Sequence, residues 1–291
     1  MSSSRAAAAT LVRAPGGLAR ALGHRSFLAG AVLTSLLLAT ALLSLLWTPY
    51  SPYEMDLPGR LQPPGSSHWL GTDPFGRDVA SLLLMGARAS IMVGVVAVGI
   101  GLLAGTAFGL LAAARRGWVE EAIMRLADFG FAFPAILSAI MLTAVFGPGM
   151  VNAIIAIGIY NIPTFARITR ASANTIWSRE YVLAARACGK GTLSITLEHV
   201  LPNIMSVLIV QATIRFATAI LAEAALSYLG LGTQPPQPSW GRMLSEAQTL
   251  LFQAPLLAVV PGVAIAIAVL GLNLLGDGLR DLLDPRLARK R

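Results

Sequence analysis

Residues 27–47 read FLAGAVLTSLLLATALLSLLW, an uncharged run of 21 residues. A helix rises 1.5 Å per residue, so this run reaches about 30 Å, the thickness of a bilayer's hydrocarbon core. A secretory signal peptide is the alternative, but its apolar region is usually about 7–15 residues long, and Trp47-Thr-Pro-Tyr50 makes a poor cleavage site. We therefore expect a retained membrane-spanning helix.

The composition of the whole chain extends this expectation beyond the first run. Hydrophobic residues make up 55%, charged residues only 12%, and the mean hydropathy is +0.69, which is far from the balance of a soluble globular protein. The fold class expected is all-α, a polytopic membrane helical bundle with six transmembrane helices. A Gly147-Pro148-Gly149 turn divides one long uncharged stretch, and the predicted spans are 27–47, 89–114, 129–146, 150–166, 202–229 and 254–276.

The distribution of Lys and Arg predicts how these spans are oriented. Of the 22 basic residues, 17 fall on the side of the membrane that holds both termini and the segment between spans four and five, and four fall on the other side. Cytoplasmic loops are enriched in Lys and Arg. We therefore expect a multi-pass membrane protein with both termini cytoplasmic, and its net charge of +8 requires no nucleic-acid partner; the family resemblance described below implies the bacterial plasma (inner) membrane.

No independent soluble domain is expected beside the bundle. The predicted organisation is a cytoplasmic N-terminal tail at 1–26, a transmembrane domain at 27–276 that includes a cytoplasmic loop at 167–200, and a cytoplasmic tail at 277–291. The single cysteine, Cys188, lies in that loop, so an internal disulfide is excluded.

The cytoplasmic loop contains a short helix-and-turn pattern, Tyr181-Val-Leu-Ala184-Ala185-Arg-Ala-Cys-Gly189, followed by His199-Val-Leu201-Pro202. Small residues give the helix a smooth face, and a glycine commonly ends a helix. Proline is excluded from helix interiors but is tolerated in a first turn, so Pro202 predicts the start of the next helix. A short, rigid helix of this kind is suited to docking against a partner protein.

Enzymatic chemistry has little support in the chain. The Gly189-Lys190 pair lacks the remaining residues of a phosphate-binding loop, so ATP is not expected to bind by that route. The three histidines, His24, His68 and His199, are scattered over both sides of the membrane, which argues against a metal site. We expect no enzyme activity, no metal and no cofactor in this chain.

Two charged residues fall inside the fifth span, Arg215 and Glu223. Placing a charge near the centre of a membrane helix costs about 2.5–3.5 kcal/mol on insertion scales, so both are candidates for the translocation path. A structural role is equally supported. Arg215 could neutralise a carboxylate of a partner subunit, and Glu223 could cap the neighbouring external turn.

Several motifs, in order, resemble one family. The 181–202 segment resembles the EAA loop of ABC-importer permeases, with Leu183 where that loop often has Glu. His68-Trp-Leu-Gly-Thr-Asp73-Pro-Phe-Gly-Arg77-Asp78 resembles the external signature of the C-type permease subunits of the dipeptide, oligopeptide and nickel importers. Three further motifs match: Arg125-Leu-Ala-Asp128 before Phe133-Pro134, Leu221-Ala-Glu223 to Gly232 with Trp240-Gly241, and Gly276-Asp277-Gly278 to Pro285-Arg286.

The resemblance implies the type I ABC-importer permease fold and the role of a permease subunit in peptide import. It implies a homologous second permease subunit, two cytoplasmic ATPase subunits that bind ATP and Mg, an external substrate-binding protein and a small peptide substrate. The ATPases would dock on Tyr181, Ala184, Ala185, Gly189, His199, Leu201 and Pro202. Nickel, glutathione or another small solute is the alternative cargo, and a stand-alone secondary carrier is the alternative from another class.

Overall fold

A computed structural model of the chain describes residues 24–283, so most of the predicted 1–26 tail, and 284–291 of the predicted 277–291 tail, lie outside the described residues. An isolated β-bridge pairs Thr72 with Asp78. The helices are α1 (Arg25–Leu46), α2 (Val79–Arg115), α3 (Trp118–Ala132), α4 (Ala135–Phe146), α5 (Met150–Trp177), α6 (Glu180–Ala187), α7 (Thr192–Tyr228), α8 (Trp240–Ala247) and α9 (Leu256–Leu283).

The predicted all-α membrane fold is confirmed. Five of these helices, α1, α2, α5, α7 and α9, are long and apolar enough to cross a bilayer. The bent pair α3 and α4 raises the number to six if it crosses as one broken span. The expected six spans therefore correspond to five single helices and one helix pair.

The third span differs from the single helix expected at 129–146. Helix α3 begins at Trp118, and a bend of 85° separates it from α4. Pro134 has no backbone N–H to continue a helix, and the residue before a proline is pushed into extended backbone, as Phe133 is at φ −103° and ψ 134°. Because α3 carries charged residues, its start could not be predicted from uncharged runs.

The other helices extend beyond the uncharged runs that predicted them. Helix α2 begins ten residues before position 89, because the Asp78 carboxylate caps it by accepting from the Ser81 backbone N–H at 2.8 Å. Helix α5 continues past 166 to Trp177. Its two arginines pair with acids of α3, Arg167 with Asp128 and Arg170 with Glu120, so these charges lie on a helix and not in a loop.

Helices α2 and α5 pack closely along a row of glycines spaced four residues apart. A Cβ on Gly105 would lie 2.6 Å from the Ile162 carbonyl oxygen, and one on Gly109 would lie 2.5 Å from the Thr169 Cβ. Gly101 likewise faces Asn161. Small residues at this spacing allow two helices to approach closely in lipid. Burying large apolar side chains gains little free energy there, because the lipid tails are equally apolar.

The helix ends define two ends of the bundle. His24 and Asp281, at the start of α1 and near the end of α9, lie 3.2 Å apart. At the opposite end, the Gly149 N–H between α4 and α5 donates to the Leu231 carbonyl after α7. Arg77, just before α2, reaches Glu246 of α8 at 2.8 Å in the same region. Helix α5 begins at this opposite end and leads to the docking segment at 181–202. The docking segment therefore lies at the same end of the bundle as the start of α1.

Candidate docking and translocation sites

Helix α6 is held to the bundle by one buried side chain. Val182 is fully buried and belongs to a hydrophobic cluster with Trp177, Ile195 and Val200. The Arg186 guanidinium lies 5.0 Å above the Trp177 ring and adds a cation–π contact. The short helix is therefore fixed against the ends of α5 and α7 and does not hang free.

The C-terminus of α6 is closed by a Schellman motif. The Lys190 N–H donates to the Ala185 carbonyl and the Gly189 N–H to the Arg186 carbonyl, at 3.1 and 2.9 Å. Gly189 has φ +82°, a conformation that side chains disfavour, although no atom lies within 4 Å of the place its Cβ would occupy. The prediction that Gly189 ends this helix is confirmed.

The outer face of this region is apolar and exposed. Helix α6 presents Tyr181 and Ala184 to the outside, and Leu183 is 53% exposed. On the neighbouring first turns of α7, Leu193 is 72% exposed and Leu197 52%. We call Tyr181, Leu183, Ala184, Leu193 and Leu197 the docking face. Large apolar side chains exposed in a segment that also carries exposed charges indicate a contact surface for another protein.

Two of the predicted docking residues are brought together at the edge of this face. The Tyr181 and His199 rings meet edge to face with centroids 6.3 Å apart. Ala185 and Leu201 are half-buried and pack against the hydrophobic cluster that contains Val182. They therefore help to fix the docking face to the bundle and are not part of its exposed surface.

Pro202 lies in the first turn of the α-helical segment Leu201–Tyr228, as the sequence predicts, but α7 is already helical from Thr192. A π-helical turn at Thr196–Val200 precedes the proline. The Leu201 N–H donates to the Thr196 carbonyl, and the Asn203 side-chain amide donates to the His199 carbonyl at 2.6 Å. These bonds keep the chain helical where the proline supplies no donor.

Arg215 is half-buried on α7, and its Nε has no hydrogen-bond partner within the described part of the chain.

Glu223 is fully buried near the other end of α7, with 0% exposure. Its Oε1 accepts from the Ser227 hydroxyl at 2.6 Å and from the Thr233 hydroxyl at 3.2 Å. The Thr233 N–H also donates to the Ser227 oxygen. Gly232 is needed here because a Cβ would overlap the Ser227 hydroxyl. Glu223 thus ties the end of α7 to the loop that follows, and the structure does not bring it together with Arg215.

The signature at 68–78 forms a compact polar cap. Asp73 accepts from the backbone N–H groups of Phe75 and Arg77, and the Arg77 guanidinium bridges Asp73 and Glu246 at 2.6 and 2.8 Å. Asp78 contacts His68 at 3.0 Å and caps α2. These contacts explain the motif as a structural tie between α2 and α8.

Sequence reasoning missed the residues that hold and extend the docking face. Val182, Leu193 and Leu197 were not predicted to contribute to the site. The available signal was that each is an apolar residue within a segment that also carries charged residues. Glu246 was also missed, because its partner Arg77 lies 169 residues away in sequence.

The chain is similar along most of its length to curated permease proteins. It is 44% identical over 256 residues to the dipeptide transport system permease protein DppC of Alkalihalophilus pseudofirmus, which covers 88% of this chain and 84% of that one. It is 43% identical over 275 residues to the di/tripeptide transport system permease protein DppC of Pseudomonas aeruginosa, covering 92% and 91%. It is also 44% identical over 246 residues to the glutathione transport system permease protein GsiD of Pectobacterium atrosepticum, covering 83% and 82%.

The fold is similar to that of a solved membrane protein. A chain of the MetNI methionine ABC transporter in an inward-facing conformation matches with a TM-score of 0.59 over 70% of this chain and 97% of that one, at 19% sequence identity. At this identity the match supports the fold, which is that of an ABC-importer permease.

The model of one protein family, described as binding-protein-dependent transport system inner membrane component, matches residues 105–289. That range includes the docking segment, Arg215 and Glu223. A match over more than half of the chain, together with the relatives above, shows the family. The chain belongs to the binding-protein-dependent transport system inner membrane components.

Proposed function

We propose that this chain is one permease subunit of an ATP-driven importer of dipeptides or oligopeptides, and that it forms half of the translocation channel. The observation that carries the proposal is the docking face, an exposed apolar surface on a rigidly anchored helix at the end of the bundle where Lys and Arg are concentrated. The names of the relatives supply the cargo class, since two of them are dipeptide or di/tripeptide permeases.

The remaining partners follow from this role. Two cytoplasmic ATPase subunits bind ATP and Mg and dock on Tyr181, Ala184, Ala185 and Gly189, with His199, Leu201 and Pro202 beside them. A homologous second permease subunit completes the channel, and an external binding protein delivers the peptide. Both termini are cytoplasmic. ATP binding draws the docking helices of the two subunits together and turns the channel outward, which is alternating access.

Glutathione is the second candidate cargo, because several relatives that are 44–46% identical to this chain are named glutathione permeases. Nickel or another small solute remains the narrower alternative within the same class. A stand-alone secondary carrier has less support, since the family is described as binding-protein-dependent and the docking face has no role in such a carrier.

The test is ATP-dependent uptake of a labelled dipeptide in cells that lack this chain and in the same cells complemented with it. Unlabelled tripeptide, glutathione or nickel is added as competitor. Uptake that returns with the chain and is suppressed by tripeptide alone supports peptide import. Suppression by glutathione or nickel moves the cargo to that solute, and equal uptake in both strains contradicts the proposal.

A variant in the docking segment tests the coupling role. We expect Gly189→Asp to reach the membrane in normal amounts, because the space around Gly189 is open and Asp is one of the few other residues that adopt a positive φ with little strain. The added charge would enter the ATPase contact and lower both uptake and copurification of the ATPase at least tenfold. Gly191→Asp, on an exposed glycine two residues further on with equally open surroundings, is the matched control. Normal uptake in the Gly189→Asp strain would contradict docking at this segment.

A further inference from the structure

Arg215 lies at the middle of the spanning part of α7. It is 14 residues after Leu201 and 13 before Tyr228, so its Cα is about 20 Å from either end of that part. A charged side chain at this depth is among the most costly placements in a membrane protein, and such residues face water-filled cavities or partners instead of lipid.

No partner within residues 24–283 compensates the Arg215 charge. None of the ion pairs found among these residues includes it, and its Nε lacks a hydrogen-bond acceptor. A guanidinium carries five N–H donors and no acceptor. An anionic oxygen from outside residues 24–283 would satisfy these donors.

Arg215 has both polar and small apolar neighbours on its side of α7. Gln211 and Thr218 lie within about 60° of Arg215 around the helix, and so do Ala212 and Ala219, since they are spaced three or four residues from it. The exposed apolar residues Ile209 and Leu221 lie about 120° to either side. Arg215 is thus turned away from these two exposed apolar side chains.

A second arginine, Arg167 of α5, lies beside a pair of aromatic rings and has a counter-ion. The Tyr160 and Phe131 rings stand with their centroids 6.4 Å apart. The Arg167 guanidinium lies 4.4 Å above the Phe131 ring, toward the end of α5 that leads to the docking segment. Arg167 is paired with Asp128, whereas Arg215 lacks a counter-ion within the described residues.

We propose that Arg215 binds the C-terminal carboxylate of the peptide as it crosses the membrane. The inference rests on the proposed function and adds the substrate group that the path recognises. A carboxylate accepts two parallel N–H bonds from a guanidinium, and in a site shielded from bulk water this charge-assisted pair is strong. Each peptide of the proposed cargo class carries such a carboxylate whatever its side chains, so one arginine serves a broad range of sequences.

The experiment compares uptake of a labelled dipeptide with a free C-terminus and of the same dipeptide as its C-terminal amide. It uses cells that carry the complete transporter with the native chain, Arg215→Gln or Arg215→Met. We expect the ratio of free to amidated uptake to fall about tenfold in both variants, the size expected for one lost charge-assisted bond. Because the external binding protein is the same in all strains, its own preference cancels from the comparison.

The controls separate this inference from the proposed function. Arg88→Gln makes the same change on an exposed residue of α2 and should leave the ratio unaltered. Arg215→Met places an apolar side chain in the membrane, so we expect this variant to insert normally. It keeps the test valid if Arg215→Gln fails to fold. Equal loss of both substrates, with the ratio unchanged, would overturn the inference and assign Arg215 to an acidic residue of the second permease subunit. Absence of uptake of either dipeptide in the native strain would instead contradict peptide import itself.

Discussion

At the scale of single residues, Glu223 holds the C-terminal end of α7 to the loop that follows it. Replacing it by alanine leaves the Ser227 and Thr233 hydroxyls without their buried acceptor, so we expect Glu223→Ala to lower the free energy of unfolding by about 1–3 kcal/mol. Glu223→Gln keeps the accepting oxygen and should stay close to the native value. Thermal unfolding of the purified protein in detergent measures both.

Uptake by the same two variants separates a structural role from a role in transport. If Glu223→Ala is as stable as the native protein but transports less, Glu223 lines the path. If stability and assembly fall together, it is a structural tie, as its burial and hydrogen bonds favour.

At the scale of one helix, α6 depends on Val182 for its position. Val182→Ala removes two buried methyl groups, and we expect a local loss of about 1–3 kcal/mol. Hydrogen exchange at 180–187 should rise, and ATPase copurification should fall. Leu183→Ala is the matched control, since Leu183 is 53% exposed and its removal should leave hydrogen exchange unchanged. Unaltered exchange in Val182→Ala would show that other contacts fix the helix.

Close packing of α2 on α5 gives a second prediction at this scale. Gly105→Val would force a side chain into the Ile162 carbonyl and the Phe165 Cβ, so the helices must separate. We expect a large loss of folded protein in the membrane, measured by size-exclusion chromatography after extraction. Gly99→Val, on the same helix with no atom within 4 Å, should be tolerated. Equal recovery of the two variants would contradict the packing described.

The helices also show how far the sequence could predict the structure. Apolar runs located the core of each span, because the cost of burying charge in lipid dominates there. They could not locate the start of α2, where Asp78 supplies a cap, or the C-terminal end of α5, where α3 supplies partners for Arg167 and Arg170. They also missed the bend at Pro134 and the helical turns that precede Pro202, since both depend on backbone geometry that composition does not report.

The candidate sites divide in the same way. The docking segment was predicted because a short helix with a glycine stop stands out between spans. Its anchor, Val182, could not be recognised, because only packing distinguishes it from the exposed Leu183 beside it. Arg215 and Glu223 were equal candidates in sequence, and burial together with hydrogen-bond partners separates them.

At the scale of the whole molecule, Cys188 reports the orientation of the chain. It is the single cysteine, it is exposed, and it adjoins the docking face. We expect a membrane-impermeant maleimide to label it in inside-out vesicles and not in intact spheroplasts. Cys188→Ser combined with Ser66→Cys, at an exposed external position, should give the opposite pattern. Labelling of Cys188 in intact spheroplasts would reverse the predicted topology.

The unbroken course of α7 has a mechanical consequence. The helix spans 37 residues, about 55 Å, and carries Leu193 and Leu197 of the docking face near one end and Glu223 near the other. A displacement imposed at the end that carries Leu193 is therefore transmitted along the helix to the end that carries Glu223. The π-helical turn at Thr196–Val200 separates the first turn of this helix from its membrane-spanning part.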